Sequence, residues 1–226
     1  MRANKRGVMI LSAFLMASAA PGMALASDSL DGLPREAAEA ATYYESDPDL
    51  WGRGPVQYIL LDDERKLLNG LLTTEQRAEF IEWFWDRRDP ELNVEGNPVR
   101  DAFYARVAEA NRKYHDFPSG WKSDRGMVHI VLGRPSSVRP SFGYRSDSTV
   151  WTYYTVGPKA TAVEPSFGSL AGEIAVAFVK SNQRGGYQIY GGFGGPGVLP
   201  LYVRDALNYS RLAAIADPSL KASFTN

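Results

Sequence analysis

Cysteine is absent from all 226 residues, and that removes several chemistries at once. No disulfide framework can hold the fold, no thiol can act as nucleophile, and no cysteine-bound zinc can form. Attachment through a lipidated cysteine is excluded as well. Histidine is nearly as scarce: only His115 and His129 occur. Their separation fits no His-x-x-x-His pair or comparable ligand spacing, so no metal site is expected. Strong charge of one sign is also missing. The formal net charge is −1, which gives no polybasic field to hold nucleic acid or anionic lipid. Beyond residue 26, no apolar run approaches the roughly 20 residues that a membrane span needs.

What the chain does have begins at its N-terminus. Arg2, Lys5 and Arg6 precede an apolar stretch from Gly7 to Ala20, and Ala24-Leu25-Ala26 supplies a small-x-small pattern before Ser27. Residues 1–26 therefore read as a secretory signal peptide, and export to the periplasm or medium is the expectation. Pro21-Gly22 breaks the apolar run, and the stretch is short for a membrane anchor. Without this segment 22 basic side chains face 26 acidic ones, a net charge of −4. About 200 residues remain, enough for one domain held by its core without cross-links. An aromatic content of 12% argues against disorder.

Periodicity and punctuation divide the rest. Pro34 can open an alanine-rich helix over Arg35 to Tyr44, where its missing N–H costs nothing; it lacks a strong apolar stripe. After the short apolar run Val56 to Leu61, the acidic Asp62-Asp63-Glu64 suits a first turn and predicts a helix to Asn69, closed by Gly70. Thr73 and Gln76 fit a capping box for a helix over Glu75 to Arg87. Phe80, Ile81, Phe84 and Trp85 give it an aromatic face, and Asp89-Pro90 stops it. Asn97 as cap and Pro98 at the first position start the strongest helix, with Val99, Phe103, Val107, Ala110 and Tyr114 on one stripe.

Past Gly120 to Gly126 the pattern turns to strands. Met127 to Leu132, closed by Gly133-Arg134-Pro135, reads as the first and puts His129 in a strand. Val150 to Thr155, Glu173 to Lys180 and Tyr187 to Tyr190 follow, with a hairpin-like turn at Gln183 to Gly186. In Glu173 to Lys180, Ile174, Val176 and Phe178 alternate with Ala175, Ala177 and Val179, which suits a strand covered on both faces. Val203 to Ile215 looks helical. Helices first and strands second predict an α+β fold: N-terminal helices packed on a mainly antiparallel sheet of about four strands, with a C-terminal helix. The expected parts are the signal peptide 1–26, a lead-in segment 27–55, the α+β domain 56–200 and a C-terminal helical tail 201–226.

Several motifs recur in a fixed order: Phe84-Trp85-x-x-Arg88-Asp89-Pro90, then Arg100-x-x-Phe103-Tyr104-x-Arg106-Val107, Ala110-Asn111, Gly120-Trp121-Lys122-Ser123-Asp124-Arg125-Gly126, and Gly133-Arg134-Pro135. Together they resemble the GWxTD domain, a family of exported bacterial proteins, over roughly Val56 to Tyr190. Ser123 stands where the family pattern has threonine, and both offer a hydroxyl to nearby backbone. The resemblance implies an exported α+β module and supplies no catalytic residues.

Trp121, Asp124 and Arg125 are the candidate binding residues, since a carboxylate, a cation and an indole side by side could hold an anion or a sugar. The competing expectation is structural. In it, Ser123 and Asp124 bond to the turn backbone, Trp121 plugs the core, and Arg125 pairs with an acid such as Asp89. Arg88, Asp89, Gly120, Gly126, Gly133 and Pro135 complete the structural motif. Gly192, Gly194 and Gly197 match GxGxxG, but Val198-Leu199-Pro200 follows where a dinucleotide site needs a helix, so no cofactor is expected. The carboxylates of Asp62 to Glu64 and Glu75 to Asp89 read as helix starts and solvated faces. Tyr144, Trp151, Tyr153 and Tyr154 could form a sugar platform but fit a core strand better. Asn208-Tyr209-Ser210 is a weak glycosylation match. The function expected is a non-enzymatic module that binds a protein partner or cell-envelope component. The alternative is an envelope hydrolase acting on polysaccharide, with Asp89 and Asp124 as acid and base.

Overall fold

In the computed structural model, residues 34–90, 95–114, 119–141, 147–154, 173–180, 186–191 and 198–215 are described. The expected signal peptide, His115, Tyr144, residues 183–185 of the expected hairpin turn and the glycines Gly192, Gly194 and Gly197 lie outside them. The helices are α1 (Pro34–Glu45), α2 (Pro48–Trp51), α3 (Asp62–Gly70), α4 (Thr74–Asp86), α5 (Pro98–Lys113), α6 (Asp124–Leu132) and α7 (Leu201–Ala213). Two 3-10 turns, Pro55–Tyr58 and Gly120–Lys122, precede α3 and α6. The strands are β1 (Ser137–Pro140), β2 (Ser148–Tyr153), β3 (Ile174–Lys180) and β4 (Tyr187–Ile189). They form one antiparallel sheet in the order β1-β2-β3-β4, so the α+β expectation holds.

Local chemistry explains where the helices start. Thr73 Oγ1 accepts from the Gln76 N–H while the Gln76 side chain accepts from the Thr73 N–H, each at 3.2 Å. Asn97 Oδ1 accepts from the Arg100 N–H at 2.9 Å, with Pro98 next in line. These bonds satisfy donors that a helix start leaves open. The predicted stripe of α5 is buried along its length: Val99, Phe103, Val107, Ala110 and Tyr114. The aromatic face of α4 is buried as well, and Phe84 stacks edge-on against Trp51 with ring centroids 5.0 Å apart.

One expected strand is a helix. Met127 to Leu132 falls within α6, which places His129 on a helix. An unbroken apolar run does not distinguish a buried helix from a buried strand by period; the cap decides. Ser123 Oγ accepts from the Gly126 N–H at 2.9 Å, Asp124 occupies the first turn, and Gly133 at φ 79° ends the helix. The fourth strand is supplied instead by β1, an edge strand that tolerates Pro140 at its end. Of the apolar run Val56 to Leu61, only its first half, to Tyr58, lies in the 3-10 turn.

Helix α1 packs along α5 despite its weak stripe, because Ala37 and Ala41 bury small side chains that allow close approach. Its last residue, Glu45, accepts from Trp85 Nε1 at 2.8 Å, Tyr104 Oη at 2.8 Å and Arg100 Nη2 at 2.6 Å. On β3, Ile174, Val176 and Phe178 are buried; on the opposite face Ala175 and Ala177 are half-buried and Val179 is buried. Helices α6 and α7 join the sheet to the helical half: α6 meets β4 and α5, and Tyr202 of α7 donates to the Ala175 carbonyl at 3.1 Å. Among the described residues no helix is long and apolar enough to cross a membrane.

Candidate functional site

The turn from Gly120 to Gly126 lies where α5, α6 and β4 meet. Two backbones touch there, and both glycines exist for that reason. A Cβ on Gly120 would sit 2.1 Å from the Ala110 carbonyl oxygen, and one on Gly126 would sit 2.1 Å from the Gly120 carbonyl oxygen. Neither glycine has positive φ, so closeness, not conformational freedom, requires them. Asn111 of α5 accepts from the Trp121 N–H through Oδ1 at 3.1 Å. Ser123 is fully buried and donates through Oγ to the Gly120 carbonyl at 2.7 Å while capping α6. A threonine hydroxyl could supply the same two bonds.

Trp121 is 6% exposed and meets Tyr58 and Tyr44 edge-on, at centroid distances of 5.8 and 6.3 Å. Asp124 Oδ2 accepts from the Ile189 N–H at 2.7 Å, tying the start of α6 to β4. Burial, and after it the charge of Asp124, pushes the Tyr58 hydroxyl up to about 12. Arg125 is half-buried, its guanidinium 4.1 Å from the Tyr187 ring centroid and 5.2 Å from that of Tyr114. Both distances are within cation–π range. The turn thus brings Trp121, Asp124 and Arg125 together and directs each to backbone or rings.

Two buried charge clusters stand apart from the turn. In the first, Glu64 takes Arg87 Nη1 at 2.6 Å and Arg88 Nη2 at 2.9 Å, and all three side chains are shut off from solvent. Glu64 also accepts from the Leu61 N–H at 2.8 Å. Arg88 lies 3.6 Å above the Phe84 ring, and burial lowers its affinity for its proton. Asp89 is 8% exposed at the end of the same helix. In the second, Glu109 on α5 meets His129 Nε2 at 3.2 Å and Arg134 Nε at 3.1 Å, and it also pairs with Lys113. Burial alone would raise the Glu109 carboxyl; the bonds to His129, Lys113 and Arg134 outweigh it and hold the group well below the usual carboxylate range. Tyr114 packs against His129 with centroids 5.8 Å apart, and burial raises its hydroxyl.

Neither cluster was visible as a site in the sequence. Glu64 looked like a first-turn acid, and nothing in its neighbours Asp63 and Arg65 marked it as facing inward. Glu109 had one signal, Lys113 four residues later, a spacing that pairs side chains on a helix. Gly133 closes α6 and Pro135 leads into β1, so the remaining motif positions shape the path from helix to sheet. No group of three or more His, Asp or Glu side chains that could hold a metal occurs among the described residues.

Comparison with known proteins accounts for the same residues. No curated protein and no solved structure matches the chain. The family model of the GWxTD domain matches residues 49–168, more than half the chain, and spans α2 to β2 with the glycine contacts and the Ser123 cap inside it. The positions that give the family its name are those that join α5, α6 and β4 here, and the chain belongs to the GWxTD domain family.

Proposed function

We propose that this protein is an exported, non-enzymatic bacterial module that binds a protein partner or a cell-envelope component. What supports the reading is the use of the signature itself: Asp124 is bonded to the Ile189 N–H and Trp121 is 6% exposed. Groups committed to backbone and core are poorly placed to do chemistry on a substrate. The polysaccharide hydrolase alternative would need Asp89 and Asp124 facing a common cleft, and no observation favours it, since Asp89 is 8% exposed. Export rests on residues 1–26, whose basic, apolar and small-x-small regions suit signal cleavage.

The test has two arms. Mass spectrometry of the protein recovered outside the cytoplasm should find Ser27 at its N-terminus; an intact Met1 in that fraction would remove the export reading. Affinity capture from envelope extracts should enrich one component that binds again after purification. Capture of nothing above a tag-only control, together with cleavage of a polysaccharide, would overturn the binding reading.

A further inference from the structure

A hollow between α2, α3 and α4 has a volume of about 400 Å³ and lies away from the signature turn. Its charged lining is three arginines, Arg53, Arg65 and Arg77, against one carboxylate, Asp49. Gln57 and Asn69 add neutral polar groups. Asp49 is already engaged, accepting from Arg77 Nη1 at 2.6 Å and from the Thr74 hydroxyl at 2.9 Å. Arg77 spends a second nitrogen on the Leu71 carbonyl, and Arg65 spends one on the Gln57 carbonyl at 2.8 Å. Arg53 is exposed, and its guanidinium makes no hydrogen bond or ion pair among the described residues. Each guanidinium carries five N–H donors in a planar fork, so most donors of these three lining arginines make no hydrogen bond among the described residues.

We propose that the hollow is a binding site for a phosphate-bearing ligand, with Arg53 and Arg65 as its principal contacts and Arg77 held in place by Asp49. Charge selects the class. The lining carries a net charge of +2, which one carboxylate would leave half compensated, whereas a phosphomonoester brings about −1.5 to −2. Arginine forks match phosphate oxygens two at a time. A concave site with three cations suits one or two phosphate groups, not the extended basic stripe that a nucleic-acid strand needs. A second cleft, of about 40 Å³, also touches Arg88, Arg106 and Arg211, but it is far smaller and Ile59, Val99, Phe103, Ile130 and Val131 make its lining mostly apolar. Exposed leucines flank the larger site in sequence: Leu50 between Asp49 and Gly52, and Leu72, 87% exposed, after Leu71. They would meet the apolar part of a lipid if the phosphate belongs to a headgroup.

The site stands apart from the partner-binding reading, and either can fail alone. Calorimetric titration of the full chain with pyrophosphate, against chloride at matched ionic strength, should show saturable binding that inorganic phosphate competes away. Arg53→Gln and Arg65→Gln should each weaken it about tenfold or more, with thermal melts unchanged for Arg53→Gln, whose guanidinium has no partner to lose among the described residues. Heats equal to those of chloride, or variants that bind as well as the parent, would overturn the proposal. Vesicles of phosphatidylglycerol and of phosphatidylcholine separate the two sources. Sedimentation with the anionic vesicles alone, reversed by pyrophosphate and lost in Arg53→Gln, identifies a headgroup; binding of pyrophosphate without sedimentation identifies a soluble phosphate. If Arg53→Gln loses pyrophosphate but still captures its envelope partner, the two functions are distinct. If the parent captures a partner and ignores pyrophosphate, only this inference falls.

Discussion

Replacing Gly120 with alanine tests the central structural argument, because the added methyl has nowhere to go. Its carbon would lie 2.1 Å from the Ala110 carbonyl oxygen and 2.9 Å from the Asn111 Cα. Both are backbone atoms of α5, so no side chain can swing aside. Reaching even the shortest tolerable contact requires a shift of about 1 Å between the turn and α5. Overpacking of this kind costs about 1–3 kcal/mol, occasionally more. The same shift stretches the Trp121 N–H bond to Asn111, now 3.1 Å, which adds about 1 kcal/mol. A total of about 2–4 kcal/mol corresponds to a fall in Tm of about 4–16 °C for a domain of this size. Gly126→Ala should behave alike, since its methyl meets the Gly120 carbonyl at 2.1 Å. Gly70→Ala is the control: nothing lies within 4 Å of the new carbon, and its φ is not positive. It should be neutral or stabilise by about 0.4–1 kcal/mol. Thermal melts followed by far-UV circular dichroism decide the matter. A Gly120→Ala protein melting within about 2 °C of the parent would refute the close-approach argument, as would equal damage from Gly70→Ala.

Three further substitutions probe other parts of the frame. Ser123→Ala removes the cap of α6 and leaves the Gly126 N–H buried without an acceptor, costing about 1–3 kcal/mol in urea unfolding, whereas Ser123→Thr should stay within about 1 kcal/mol. Glu64→Gln strips the carboxylate from two buried guanidiniums and should cost about 3–5 kcal/mol; normal stability would mean that the arginines find other acceptors. Glu109 is held below its ordinary value of 4.5 in the folded protein, so its stabilising effect is fully present above that value and is lost as pH falls through the depressed one. The stability gap between the parent and Glu109→Gln, measured by chemical denaturation, should therefore be wide at neutral pH and narrow in acid. A gap independent of pH would contradict the assignment.

Most of the helical half was legible because its boundaries are chemical. Pro34, the Thr73–Gln76 box and the Asn97-Pro98 pair each mark a start that depends only on neighbouring residues. The misreading at Met127 to Leu132 came from giving the apolar run more weight than the Ser123 cap before it. Strand β1 was illegible for the opposite reason. Its residues are mostly exposed and carry no apolar alternation, and only pairing with β2 makes them a strand. At the candidate site, the crowding of residues from Gly120 to Gly126 was plain, but the partners were not. Ala110, Asn111 and Ile189 lie at sequence separations that no local pattern can encode. The arginine hollow is harder still, since Arg53, Arg65 and Arg77 come from three separate segments, each unremarkable by itself.

Glu45 carries a consequence for what counts as the domain. It lies before the residues matched by the family model, as β3, β4 and α7 lie after them. Yet it receives Trp85, Arg100 and Tyr104, while Val176, Phe178, Val203 and Leu207 complete the core from the far side. A fragment cut to 49–168 would keep every signature residue and still expose the surfaces those residues press against. The segment that identifies the family is smaller than the segment that shares one hydrophobic core, which runs from Ala37 to Leu207. Boundaries for expression belong before Pro34 and after Ala213, and the cooperative unit should melt as one transition across that whole span.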